Sequence, residues 1–254
     1  MENNSVSQTS PDSPIVYQPD SFKPGRSALV LLGAIGALIA GLVVSGIGAV
    51  VAVHGDVGIL RTNMVVAAVG MQGVMDLFVV IFLLLTLPWL AQTSLRGLGF
   101  WMPDARTIGI AILGAVAMIV VVNGSGTIID TLLHSKHQQQ AIQLFLSERN
   151  TGARVFLAFL AVIIAPFAEE LTFRVFIFNA VRRWQPFWIA ATVSGILFGL
   201  AHTDLYALVP LLFGGIILCF VYTRSKNAFA SMITHALFNG VTVALLFFVP
   251  SMSK

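Results

Sequence analysis

Long apolar runs broken by short polar stretches dominate the chain. Seven of them read as helices: Ala28 to Val53, Met64 to Leu90, Thr107 to Ile129, Arg154 to Val181, Trp188 to His202, Leu205 to Tyr222 and Ala228 to Val249. A bilayer core takes about 20 helical residues, longer runs being accommodated by tilt. The pattern therefore predicts an all-α, polytopic membrane protein of about seven transmembrane helices. Ala37 and Gly41 stand four apart in the first helix, a spacing that lets two helices approach closely. The second helix is expected to end near Pro88, at about Leu90, and Asn123, Gly124 and Gly126 to interrupt the third. No internal repeat and no soluble domain is evident.

The polar stretches divide the chain. Residues 1–26, rich in Ser, Asn, Pro and Asp, read as a disordered tail. That segment is polar and lacks a basic start, unlike a cleavable signal peptide. Residues 27–129 hold the first three helices. Residues 130–152 form a polar loop in which Ala141 to Leu146 suggests a short interfacial helix. Residues 153–250 form the C-terminal four-helix core. His134 and His137 stand three apart in the loop with no third ligand near, so a solvated segment is the simpler reading.

Composition agrees. Hydrophobic residues make up 57% of the chain and charged ones 10%, against about 25% charged in soluble domains. A net charge of +3 without a dense basic patch gives no reason to expect nucleic acid as a partner. The single cysteine, Cys219, lies in an apolar run. It excludes an intrachain disulfide and reads as a buried thiol. Basic residues number 8 on the side of the tail and of the turns after helices two, four and six, and 5 on the other, with Arg174 inside, of 14 in all. The positive-inside rule then puts the N-terminus in the cytoplasm.

Against this apolar background the charged residues stand out. Glu169, Glu170 and Arg174 lie in the fourth helix, with no other charge between Val155 and Ala180. Ionisable groups at membrane depth are costly and mark function by default. Arg174, four residues after Glu170, can neutralise that carboxylate, which leaves Glu169 as the unpaired acid. His202 ends the fifth helix, and His235 and Asn239 share a face of the seventh. At 1.5 Å per residue, Glu170 lies roughly 20 Å deep, His202 about 21 Å, His235 about 13 Å and Asn239 about 19 Å. Carboxylates, imidazoles and an amide at similar depth suit hydrolysis of a peptide bond. Glu169 helped by His202 would activate water, and His235 and Asn239 would hold the oxyanion. Asp76 and Gln72, four apart in the second helix, read as an interhelix hydrogen bond or as a contact to this site.

Together Glu169-Glu170-x-x-x-Arg174, Phe198-x-x-x-His202 and His235-x-x-x-Asn239 resemble the CPBP family (CAAX protease and bacteriocin-processing, or Abi) of intramembrane proteases. The resemblance covers about Arg154 to Val249. It implies a membrane-embedded endopeptidase with Glu169 and His202 activating water, His235 and Asn239 holding the oxyanion, and Glu170 and Arg174 shaping the site. It also implies a peptide or protein substrate, lipidated in the CAAX case, membrane lipid as a partner, and a multi-pass protein of a prokaryotic plasma membrane. The family has been described both as metal-dependent and as metal-free. Glu169, His202 and His235 are candidate zinc ligands. The absence of a His-Glu-x-x-His helix favours no cofactor. The alternative is a non-catalytic immunity or scaffold protein that binds a partner helix.

Overall fold

The structure, a computed structural model, describes residues 24–54, 64–134 and 140–248, and these contain helices and turns without a strand. Among the described residues eight α-helical elements follow one another, with a 3-10 turn at Arg96–Leu98 between the second and third. They are α1 (Pro24–His54), α2 (Met64–Ala91), α3 (Ala105–Leu132), α4 (Gln140–Ser147), α5 (Thr151–Arg182), α6 (Phe187–Ala201), α7 (Leu208–Ser225) and α8 (Ala228–Phe248). Residues up to 23, with most of the expected tail, lie outside the described residues, as do Lys136 and His137.

The all-α polytopic expectation holds. Among the described residues five helices are long and apolar enough to cross a membrane: Gly70–Ala91, Ala105–Leu132, Thr151–Arg182, Leu208–Ser225 and Ala228–Phe248. Gly25–Gly41 and Phe187–Ala201 are shorter apolar stretches. Helix α6 has 15 residues, about 22 Å of rise against a hydrocarbon core of about 30 Å. Large apolar side chains such as Leu85 at 74% and Leu113 at 71% exposure face outward, as lipid-facing positions do.

Helix α2 ends at Ala91, three residues past Pro88 and close to the expected end. One correction concerns helix breakers. Helix α3 is unbroken across Asn123, Gly124 and Gly126. The Asn123 amide donates to Ile119 O, the Ser125 hydroxyl to Val121 O and the Thr127 hydroxyl to Asn123 O. Polar side chains that bond back onto their own helix do not break it. Gln72 and Asp76 also differ from the expected interhelix bond, because the Gln72 amide donates to Asp76 on the same helix at 2.8 Å.

Helix α5 packs against α2, α6 and α8, while α7 lies against α6 and α3. One cluster, including Leu83, Leu87, Leu171, Val175 and Phe178, joins α2 to α5. At the end that carries Arg182, the turn before α3 is tied to the start of α8. Gly99, at φ 97°, accepts at its carbonyl from Ala228 N at 2.9 Å, and the Asn227 amide donates to Trp101 O at 2.9 Å. Tyr222 donates to Leu98 O at 3.1 Å and receives the Asn179 amide at 3.1 Å.

Glycine sets the closest approaches. At Gly41 an added Cβ would lie 2.7 Å from Met75 Cα, so α1 and α2 meet at the small residue the spacing pointed to. At Gly215 it would lie 2.6 Å from Gly195 Cα, which brings the backbones of α6 and α7 into contact. Gly215→Ala is predicted to lower stability by about 1–3 kcal/mol through overpacking. Gly109→Ala, with nothing within 4 Å of its added Cβ, should cost no stability. Thermal unfolding of both purified variants in one detergent checks this; equal melting temperatures would refute the close contact.

Candidate active site

Helix α5 is wound in two ways. Ordinary α-helical turns at Thr151–Phe159, Ala165–Glu170 and Asn179–Arg182 alternate with π-helical stretches at Leu160–Ile164 and Leu171–Phe178. The two glutamates end the short α-helical segment between the wide stretches. Pi-helical turns are uncommon and cluster at functional sites. Their bonds run from residue i to i+5, and Ala165 N accordingly donates to Leu160 O. The next bond in that series would join residue 166 to Ala161 O. Residue 166 is proline, which has no N–H. The Asn239 amide of α8 donates to Ala161 O instead, at 2.8 Å. Asn239 thus replaces a backbone donor three residues before Glu169.

Glu170 and Arg174 are both fully buried, and Arg174 Nη1 lies 3.0 Å from Glu170 Oε1. His235, 4% exposed, brings Nδ1 to 3.1 Å from the same oxygen and Nε2 to 3.7 Å from Glu169 Oε2. A carboxylate accepts, so a neutral His235 bonded to Glu170 carries its proton on Nδ1 and turns Nε2 towards Glu169. The expected i,i+4 pair therefore forms, but Glu169 is not left alone. Its side chain, 26% exposed, faces an imidazole from α8. His235 sits between the two glutamates, so one ring nitrogen is committed to Glu170.

The guanidinium of Arg174 lies 4.4 Å from the centre of the Phe198 ring and 5.9 Å from that of Phe173. Cation–π contact stabilises a desolvated charge. The Ser194 hydroxyl donates to Phe173 O at 2.8 Å and fastens α6 to α5. Glu170 Oε2, Arg174 Nε and Arg174 Nη2 are buried without a hydrogen-bond partner among the described residues. Removing one partner of such a buried pair strands the other charge, at a cost of about 3–5 kcal/mol.

His202 stands just past the end of α6, and its Nδ1 meets Phe198 O at 2.9 Å. A carbonyl only accepts, so this contact puts the proton on Nδ1 and leaves Nε2 with a free lone pair. The Phe198 ring lies edge-on to His202, with centres 4.8 Å apart, and edge-on to His235, with centres 5.7 Å apart. Phe198 thus touches both imidazoles. Among the described residues no hydrogen bond or ion pair joins His202 to Glu169, and no group of three His, Cys, Asp or Glu side chains is placed to hold a metal ion.

The residue types alone did not point to Phe198 as a bridge or to Pro166 and Ala161 as the reason for Asn239. A proline one turn before a charged pair was the available signal. Asp76 on α2 lies close enough to Glu169 for the two carboxylates to interact.

Residues 151–241 match the family described as type II CAAX prenyl endopeptidase Rce1-like. The family resemblance carried by the three motifs therefore holds over that stretch. The chain is 37% identical over 107 residues to the membrane-embedded CAAX protease MroQ of Staphylococcus aureus, covering 39% of this chain and 42% of that protein. It is 31% identical over 83 residues to the putative membrane peptidase YdiL of Bacillus subtilis, covering 33% and 34% respectively. A UPF0177 protein of Lactococcus lactis, YxdF, is 36% identical over 88 residues, covering 33% of this chain and 48% of that protein. The matched stretch spans less than half the length of each of these relatives. No solved structure matches the chain significantly.

The Asn239 bond gives a prediction. Asn239→Ala leaves a carbonyl unpaired and should cost about 1–3 kcal/mol. In a Pro166→Ala background the restored N–H can reach Ala161 O, and the cost of losing Asn239 should shrink by at least half. A double-mutant cycle on thermal unfolding measures this, and equal costs in the two backgrounds would show that Asn239 does not stand in for the proline.

Proposed function

We propose that this chain is a membrane-embedded endopeptidase that hydrolyses a peptide bond in a membrane-associated peptide or protein. The observation that carries the reading is the contrast between two adjacent carboxylates. Glu170 is fully buried and tied to Arg174 and His235, while Glu169 is 26% exposed with its oxygen facing His235 Nε2. A partly exposed acid set against a fixed, desolvated charge cluster suits a general base. The motifs and the similarity to the CAAX endopeptidase family over residues 151–241 support the same reaction class.

In this mechanism Glu169 takes a proton from water as the water oxygen bonds to the substrate carbonyl carbon. The tetrahedral oxyanion needs N–H donors. Asn239 holds two amide hydrogens, one of them donated to Ala161 O, and the second is assigned to the oxyanion together with the Nε2–H that His235 carries in its imidazolium form, its Nδ1–H staying on Glu170. Collapse of the intermediate breaks the C–N bond, and the proton held by Glu169 passes to the leaving amine. His202, with its free Nε2, is assigned to the water-activating side. Glu170 and Arg174 hold His235 in place. No step runs through a metal.

The substrate class is proposed as a lipidated or otherwise membrane-anchored peptide, because the matching family and MroQ are both described by the CAAX name. The setting is proposed as a prokaryotic plasma membrane with the N-terminus in the cytoplasm. Bacterial relatives and the basic-residue count support this.

Glu169→Gln is predicted to slow cleavage by about 10²–10⁴-fold, while the protein accumulates at the wild-type level. Reconstituted full chain would be incubated with farnesylated and unmodified peptides, and the cut mapped by mass spectrometry. Full activity in Glu169→Gln would reject the enzyme reading in favour of a non-catalytic partner-binding protein. Zinc per purified chain and activity after chelation give a separate test: activity lost to chelation and restored by zinc would recast Glu169 and His235 as ligands.

A further inference from the structure

A hollow of about 350 Å³ opens at the end of the bundle opposite His202, where α5 and α7 end and α6 begins. Three cations line it. Arg182 comes from the last turn of α5, Arg224 from the last turn of α7, and Lys226 from the residue that caps α7. Its other walls include the rings of Phe187, Trp188 and Phe220. Trp188 is 67% and Phe220 54% exposed on the outer surface of the bundle. Arg182 donates to Gln185 O at 2.9 Å, and no carboxylate pairs with any of the three cations among the described residues.

Each cation sits at a helix C-terminus, where the helix dipole favours positive charge. That accounts for a cation at each end but not for the residue chosen at position 226. Lys226 has φ 55° and ψ 28°, the left-handed conformation in which helices usually place glycine. A side chain with a Cβ is strained there. Lysine accepts that strain and adds a third positive charge to the same hollow. Charge, aromatic walls and a position at the bundle's rim together define what would fit: an anionic head against the cations and an apolar body along the outward rings.

We propose that this hollow binds an anionic phospholipid, its phosphate held by Arg182, Arg224 and Lys226 and its acyl chains lying against Trp188 and Phe220. Basic pockets between helices at a membrane surface recognise such headgroups. The site lies apart from Glu169, and nothing in the proposal depends on peptide-bond hydrolysis. Its failure and the failure of the proposed function are therefore separate events.

The test titrates purified full chain in a neutral detergent with phosphatidylglycerol or phosphatidylcholine, reading bound lipid by native mass spectrometry and stability by thermal unfolding. Phosphatidylglycerol should bind and raise the melting temperature, and phosphatidylcholine should do neither. Arg224→Gln and Lys226→Gly should each weaken phosphatidylglycerol binding roughly fivefold. Lys226→Gly relieves the left-handed strain, so it should remain folded and be at least as stable as wild type without lipid. Arg96→Gln with Arg106→Gln removes two cations that do not line the hollow, and should leave binding unchanged. Equal binding of the two lipids would overturn the proposal. So would an equal loss in the Arg96 and Arg106 variant, which would reduce the effect to general surface charge.

Discussion

A guanidinium with no access to solvent is the constraint around which this bundle is arranged. Arg174 is 0% exposed and pairs with an equally buried Glu170. Desolvating two such charges costs several kcal/mol each, recovered only when further groups complete their surroundings. The neighbouring helices supply them. Helix α6 lays the face of Phe198 over the guanidinium. An added Cβ at Gly215 of α7 would lie 3.6 Å from Arg174 Nη2, so the small residue brings that helix close to the charge. Helix α8 gives the second oxygen contact on Glu170 through His235. Three helices are thus fitted to one ion pair. The contact of Gly195 with Gly215 allows α6 and α7 to reach it together.

The same constraint separates two chemically identical neighbours. Glu170 is consumed by structure, since its Oε1 faces both Arg174 and His235. Glu169, one residue earlier, points about 100° away around the helix and keeps a partly exposed side chain. His235 belongs to both, with one ring nitrogen in the buried pair and the other towards Glu169. An imidazole held in this way has a fixed orientation, which a catalytic partner requires.

Much of this is legible in the amino-acid sequence alone. Apolar run length marked the membrane helices, because the bilayer imposes a minimum span that few other pressures mimic. The i,i+4 spacing of Glu170 and Arg174 predicted their pairing, because helix geometry is local. Legibility failed where a long-range partner changed a local rule. Asn123 and Gly124 read as breakers in isolation but lie inside a continuous helix. Gln72 and Asp76 satisfied each other rather than a neighbouring helix. The two π-helical stretches of α5 had no readable period, and one of them explains what Asn239 bonds. Depth counting places His202 level with Glu170, yet it does not show that Phe198 packs edge-on against both His202 and His235.

The segment similar to known endopeptidases, residues 151–241, does not hold its own geometry unaided. His235 lies eight residues beyond Asn227, whose side chain caps α8 by accepting from Phe229 N at 2.8 Å and also donates to Trp101 O. Ala228 N bonds to Gly99 O, and the Thr234 hydroxyl, adjacent to His235, donates to Ala111 O at 2.9 Å. Gly99, Trp101 and Ala111 all precede the matched segment. Asn239, one turn beyond His235, is tied to α5 through Ala161 O. Helix α8 is therefore pinned before, beside and after its histidine, and two of those three anchors lie in the N-terminal half. Catalytic geometry needs placement to within fractions of an ångström. The helices before residue 151 are part of what positions His235 against Glu169 and Glu170, as well as part of the membrane anchor.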